Sequence, residues 1–409
     1  MKKILLTILL SAATMVAAAQ IRNEHVCKFP ERDAFYTRNE LRLPDIAGYE
    51  TLTGDFHIHT VFSDGKVWPD VRVNEAWRDG LDVIAVTDHL EYRPHGKKIE
   101  GDLNESYRIA AKRGEQLGIL VVPGCEITRK KPVGHINALF IEDANPMLCD
   151  EPQQAMDEAR RQNAVVMLNH PGWPDDHFEL SDIQRRWFDE KRFHAVEVYT
   201  WLESYPNAAD LIDERGVAYM SNSDIHQPIA DRYGVGRGLR PMTILFCREH
   251  TLAGVREALE AQRTLAYFNG ILVGRADLLT QFVKACLTWH PVCPAEGRYE
   301  ITNTSELPFE VLIGEACYGI APNSTIRFTM KSPQPMMLKN CFTGRDRRLE
   351  IVWQQYSFPL DCAALGSCKS PGLRFIGCKP FARIIRDPHE RQHYGDFDQH
   401  ADDRGHRRA

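Results

Sequence analysis

Leu81-Asp82-Val83-Ile84-Ala85-Val86-Thr87-Asp88-His89 is a short apolar run that ends in a carboxylate and an imidazole. A run of this length reads as a buried strand, and the polar residues fall at its exit. The same arrangement recurs three times. His57-Ile58-His59 closes a strand that begins at 55, Asn169-His170-Pro171 follows the run 164–168, and Ser223-Asp224-Ile225-His226 follows the run 217–220. Imidazoles and carboxylates at the exits of several strands converge on one rim of a barrel, which is where a multi-metal site is built.

Outward from these stretches, short apolar runs alternate with helical segments from about 54 to 268. Strands are expected at 55–59, 81–87, 119–122, 135–141, 165–168, 195–199, 217–220 and 263–268. Helices are expected at 71–78, 104–117, 152–162, 208–215 and 251–262. In the last, Leu252, Val255, Ala258 and Leu259 share one face. The alternation implies a parallel sheet, and the number of units favours a closed α/β barrel over an open sheet. A connecting segment follows at 276–294, helical over 276–287. From 295 to 366 the texture becomes one of alternating strands between turns, as at 299–303, 309–313 and 325–330, which reads as a small antiparallel β domain. Residues 367–409 are charged and aperiodic and are expected to pack poorly.

Composition narrows the function. The chain has 409 residues, 43% hydrophobic and 26% charged, with a formal net charge of -6. Such a balance supplies no basic field for a nucleic-acid partner. Lys2-Lys3, the apolar run 4–16 and Ala17-Ala18-Ala19 form a signal peptide over 1–19. The mature protein is therefore expected to be exported, periplasmic or secreted, with no membrane span. The cysteines number eleven. Export permits disulfides, but spacing does not reveal any pairing.

The candidate ligands are His57, His59, Asp64, His89, Glu126, His135, His170, Asp224 and His226. His57 and His59 are two apart on a strand and face the same side. Six imidazoles and three carboxylates are too many for one tetrahedral ion and suit about three. The donor mixture favours zinc, manganese or iron over magnesium or calcium. Asp88 has two readings, as a carboxylate orienting a ligand histidine or as a cap for the next segment. Imidazoles such as His95, His177, His194, His250 and His290 lack partners at useful spacing and read as surface or packing residues.

Taken in order, Asp55-Phe56-His57-Ile58-His59-Thr60, Ser63-Asp64-Gly65, Val86-Thr87-Asp88-His89, Pro123-Gly124-Cys125-Glu126, Gly134-His135, Asn169-His170-Pro171 and Ser223-Asp224-Ile225-His226 resemble the PHP (polymerase and histidinol phosphatase) superfamily of metal-dependent phosphoesterases. The resemblance spans about 54–268 and is closest to an exported bacterial phosphodiesterase branch. It implies a distorted (β/α)7 TIM-like barrel (here over 20–275) holding three divalent metal ions. His57, His59, Glu126 and Asp224 would hold the first ion. Glu126, His135 and His170 would hold the second, with Glu126 bridging, and Asp64, His89 and His226 the third.

That family reading implies hydrolysis of a small phosphorylated substrate, a phosphodiester before a monoester, by a metal-bridged hydroxide. Glu126, Asp224 and His226 are then the catalytic residues, with His226 or Asp64 also able to relay a proton. Arg237, in the glycine-rich loop Tyr233-Gly234-Val235-Gly236-Arg237-Gly238, either grips the phosphate or is a solvated charge. Lys66, Arg93 and Arg129 are weaker candidates. Trp173 either stacks on a substrate ring or packs on a neighbouring loop, and Trp201 has the same two readings. A metal-dependent amidohydrolase also uses His-x-His on a barrel, but Asp64, Glu126 and the Asp224-x-His226 pair argue against it. A non-catalytic exported binding protein with a vestigial barrel is opposed by the complete ligand set. Substrate identity and oligomeric state are not legible.

Overall fold

The first strand, β1 (Glu50–Ile58), pairs in parallel with β2 (Val83–Val86), and β2 pairs in parallel with β3 (Leu120–Thr128). The computed structural model describes residues 37–233, 240–293, 296–330 and 334–352. The expected signal peptide at 1–19, Arg237 and the tail at 367–409 lie outside them. Between the strands run α1 (Pro69–Asp79) and α2 (Glu105–Leu117). Pro69 opens α1 at a position whose N–H has no helical partner, and Gly80 closes it in the left-handed region at φ +88°.

β3 does not stop at Pro123-Gly124 as the sequence reading expects. Residues 120–123 pair with β2, and residues 124–128 pair antiparallel with β4 (His135–Leu139). Pro123 sits where the strand changes partner, a place that needs no ladder N–H from it. The strand therefore extends far enough to carry Glu126.

The sheet continues through β5 (Val165–Leu168), β6 (Ala195–Thr200), the short β7 (Glu203–Ser204) and β8 (Ala218–Asn222). Three helices, α3 (Pro152–Arg161), α4 (Asp182–Asp189) and α5 (Pro206–Arg215), lie between these strands, and α6 (Ile229–Tyr233) follows β8. On the far side of β1 come β9 (Met242–Cys247), antiparallel to it, then α7 (Leu252–Glu260) and β10 (Thr264–Phe268). The parallel pattern is thus broken at β4 and β9, since apolar runs record burial and not strand direction. Helix α4 and strand β9 have no counterpart among the sequence expectations. At the exits of β8 and β1, a parallel bridge between Ile58 and Ile225 brings the two strand ends together.

The interior is packed. Leu52, Phe56, Val83, Ala85, Val122, Leu139, Val165, Met167, Ala195, Ala218, Met220 and Leu245 form one buried cluster contributed by successive strands. Val255, Ala258 and Leu259 of α7 join that cluster, so the face expected from the periodicity is the buried one. Val255 and Leu259 are fully buried, each worth roughly 1.5–3 kcal/mol.

Beyond β10, β11 (Ile271–Gly274) leads to α8 (Ala276–Cys286), β12 (Leu287–Cys293), β13 (Arg298–Asn303), β14 (Phe309–Ile313), β15 (Ala316–Ile320), β16 (Ser324–Thr329), β17 (Met336–Phe342) and β18 (Arg348–Ile351). β12, β13 and β16 form a three-stranded antiparallel sheet. β14, β15, β17 and β18 extend the large sheet through β11, which pairs in parallel with β17. Phe282 and Val283 of α8 share a core with Phe246 and Leu265 on one side and Ile301, Phe309 and Leu338 on the other. The cysteines within the described residues are all free thiols. Among the described residues, no helix is long and apolar enough to cross a membrane.

Candidate metal centre

Hydrogen bonds between backbones tie the strand exits to one another. His59 N–H donates to the Ile225 carbonyl and Asp224 N–H to that of His57; Thr87 N–H donates to Ile58. Leu90 N–H donates to Glu126, Glu126 N–H to Asp88, and Asn169 N–H to His135. Each segment that carries a candidate ligand is thereby fixed to a neighbour along the rim. Asp64 comes in on a turn closed by Gly65. A Cβ at Gly65 would stand 2.7 Å from the His59 carbonyl carbon and the Thr60 nitrogen, so only glycine lets this turn press against β1. Asp224 adopts φ +48°, a left-handed conformation that aspartate tolerates better than most residues.

All nine expected ligands converge. Asp224 Oδ1 lies 3.3 Å from His57 Nε2 and 2.9 Å from His59 Nε2. Glu126 Oε1 lies 3.4 Å from His57 Nε2, 3.1 Å from His135 Nδ1 and 3.7 Å from His170 Nε2. Its other oxygen contacts His89 Nδ1 and lies 3.9 Å from His59 Nε2. Asp64 Oδ1 lies 3.4 Å from His89 Nε2 and 3.2 Å from His226 Nε2. Four overlapping donor groups result, each tight enough to hold an ion: His59, Asp64, His89 and His226; His57, Glu126 and His170; His57, His59 and Asp224; His89, Glu126 and His135.

The donor chemistry fits divalent metal. His57 Nε2, both ring nitrogens of His59, Asp64 Oδ1 and His135 Nδ1 are buried without a hydrogen-bond partner. Unpaired buried polar atoms are costly, and so many in one place call for a cation. Electrostatics agree. Burial works against the charge of Glu126, yet His89, His135 and His170 hold its carboxyl well below the usual range. Asp224 is depressed in the same way, chiefly by His57 and His59. Burial and the neighbouring His226 and His89 push the His59 imidazole down to about 4.

Asp88 lies outside the donor groups. Its carboxylate accepts from Thr60 N–H, Thr60 Oγ1 and Ser63 Oγ, all at 2.7 Å. It ties down the loop that delivers Asp64, and among the described residues it bonds to no histidine ring. Among the other expected residues, Trp173 stands beside the cluster, its ring 5.0 Å from that of His135. Trp201 is covered by the Arg232 guanidinium at 3.9 Å. Arg93 donates to the Phe62 carbonyl, and Arg129 pairs with Glu91 at 2.8 Å. Lys66 is exposed, with its backbone N–H bonded to the His226 carbonyl.

The sequence reading does not anticipate the supports of this cluster. Glu197, fully buried on β6, takes His57 Nδ1 and Asn222 Nδ2 on one oxygen, and His170 N–H and Thr200 Oγ1 on the other. Asn169 Nδ2 donates to Glu126 Oε1 at 2.9 Å and to Asn137 Oδ1 at 2.8 Å. Arg72, buried on α1, donates to the carbonyls of His59, Ile225, His226 and Gln227. Arg240 is buried between Asp55 and Asp79. A lone glutamate in the run Ala195-Val196-Glu197-Val198 and an arginine at a core-facing helical position were the available signals.

Comparison with known proteins agrees with the geometry. The PHP domain model matches residues 55–223. No curated protein matches. Among solved structures, the chain is similar to a two-domain protein from Bacteroides vulgatus that contains a predicted PHP-like metal-dependent phosphoesterase. The two are 35% identical with a TM-score of 0.74, and the alignment covers 80% of this chain and 99% of that one. An amidohydrolase from Chromobacterium violaceum, with bound sulfate and no metal, aligns at 18% identity and a TM-score of 0.35 over 45% of this chain and 89% of its own. With identity at 35% along nearly the whole of the Bacteroides protein, and with the family's motifs gathered at one rim, the chain belongs to the PHP superfamily of metal-dependent phosphoesterases.

Proposed function

We propose that the protein hydrolyses phosphate esters, phosphodiesters before monoesters, at a centre of three divalent transition-metal ions. The observation that carries this reading is the position of Glu126, whose two carboxylate oxygens face different imidazoles of the cluster. That is the disposition of a bridging ligand. His57, His59 and Asp224 would hold one ion. His135 and His170 would hold a second, and Glu126 would serve both. Asp64, His89 and His226 would hold the third, and His59 lies close enough to join them. Zinc, manganese and iron suit these donors.

When bound, such ions polarise phosphoryl oxygens and lower the pKa of water. The chain's own residues do the rest. Glu197 and Asn169 hold His57 and Glu126 in orientation. His226 pairs with Asp64 through Nε2, and its Nδ1 faces the Asp224 carbonyl, so both ring nitrogens are engaged and the imidazole is oriented as a ligand. Arg237 is the cation for a phosphate oxygen in this reading, and Lys66, an exposed residue whose backbone N–H bonds the His226 carbonyl, is the second candidate. Export through the segment 1–19 belongs to the same reading.

Elemental analysis of protein purified without chelators should find two to three transition-metal ions per chain. With those ions present, bis(4-nitrophenyl) phosphate should be hydrolysed faster than 4-nitrophenyl phosphate. Fewer than one ion per chain, or no ester hydrolysis with zinc, manganese or iron, would overturn the proposal.

A further inference from the structure

A cavity of about 210 Å3 opens beside the metal centre, and His135, Asn169 and His170 line the wall it shares with the cluster. Trp173, Pro132, Pro171 and Pro174 line it elsewhere. Trp173 is 47% exposed, although its ring packs 5.0 Å from His135 and 5.6 Å from His170. An indole that served only as packing would bury more of its face.

The charged groups on this wall are already paired. Lys131 meets Asp175 at 2.8 Å, His177 meets Glu179 at 3.7 Å and Arg129 meets Glu91 at 2.8 Å. These pairs set acidic groups against the basic ones along the wall, and what distinguishes the cavity is the apolar surface of Trp173 and the prolines at the edge of the cluster. Its volume is below the roughly 300–1,000 Å3 of pockets for drug-sized ligands, which limits the occupant to about one ring system.

We propose that this cavity receives one ester group of the substrate, and that this group carries a planar ring stacked on Trp173. The inference rests on the phosphoester reading above. It makes aryl or nucleoside phosphodiesters the substrate class, in preference to diesters of small polyols or alkyl alcohols.

Phosphonates keep the anionic head and cannot be hydrolysed as esters, so binding can be read without turnover. Calorimetry on the metal-loaded protein would compare benzylphosphonate with ethylphosphonate. Aromatic stacking is expected to favour the benzyl compound by roughly 5- to 150-fold. In Trp173→Ala that preference should collapse toward parity, while ethylphosphonate binding stays within about twofold. Trp173→Phe should retain most of the preference. Equal affinities in the wild type would overturn the inference and leave phosphoester hydrolysis standing. Equal weakening of both ligands in Trp173→Ala, with loss of metal, would overturn it by making Trp173 a brace for His135 and His170. If neither phosphonate binds the loaded protein while bis(4-nitrophenyl) phosphate is still hydrolysed, this inference falls alone; if that hydrolysis is absent too, the phosphoester reading falls with it.

Discussion

His57 Nδ1 lies 2.9 Å from Glu197 Oε1, and both side chains are completely buried. Because a carboxylate only accepts, the imidazole must donate from Nδ1. That leaves Nε2 directed at Glu126 and Asp224. A carboxylate behind a ligand histidine fixes its tautomer and ring angle. Glu197→Gln can keep one acceptor oxygen but loses the charge and one of the two acceptor sites. Metal affinity should fall about 10- to 100-fold, with far-ultraviolet circular dichroism unchanged. Competition with a chromogenic chelator measures it. An unchanged affinity would make Glu197 a structural residue only.

Glu126 carries more. It faces five imidazoles and is held by Asn169. Glu126→Ala should abolish turnover and remove more than one ion per chain, while the barrel still folds. Asp64→Ala should remove about one. Elemental analysis of both variants checks the ordering, and near-normal activity in Glu126→Ala would contradict the bridging assignment.

His57, His59, His89, His170, Asp224 and His226 were legible because each sits at the exit of an apolar run, where burial and chain direction both leave a sequence mark, whereas Asp64 on its turn, Glu126 within β3 and His135 at the start of β4 were legible from the order of the motifs. Their supports were not. Glu197 looks like an interruption in a strand until the partners of both its oxygens are seen, and those partners come from β1, β5, β6 and β8 or their exits. Arg72 sits at a position of α1 that a helical pattern would fill with an apolar residue. Strand direction at β4 and β9 leaves no mark at all. Helix α4 did leave one. Ser181 and Gln184 form a reciprocal capping box, and Ser-x-x-Gln is visible in the sequence.

Arg72 gives a stability prediction. Its guanidinium serves the carbonyls of His59, Ile225, His226 and Gln227 and pairs with Glu75 at 2.8 Å. Arg72→Met strands those carbonyls and leaves a buried carboxylate without its cation. Loss of one partner from a buried pair costs about 3–5 kcal/mol, and urea denaturation of the metal-free protein should show a loss of that order. Arg72→Lys should recover only part of it, because an ammonium cannot reproduce the fork that reaches several carbonyls. A loss below about 1 kcal/mol in Arg72→Met would mean that the carbonyls find water instead.

The last prediction concerns pH. Burial opposes the charge on His89, yet the Glu126 and Asp64 carboxylates lift its imidazole to about 9. His57, His170 and His226 are raised by neighbouring carboxylates as well. A raised histidine stabilises the metal-free fold fully below the unfolded value near 6.5, and this stabilisation is lost as pH climbs through the folded value. For His89 the window runs from about 6.5 to about 9. His59, lowered to about 4, acts in the opposite sense, and its effect is confined to acid: stability falls as pH drops from 6.5 toward 4. The metal-free protein should therefore lose thermal stability between pH 6.5 and 9. Metal binding reverses the trend, because an imidazole must give up its proton to become a ligand. Zinc titrations in two buffers of different ionisation enthalpy should show net proton release at pH 7. Affinity should also rise between pH 6.5 and 8.5. Zinc binding at pH 7 without proton release would show that these imidazoles are already neutral, and that the carboxylates around them do not hold the charge assigned to them here.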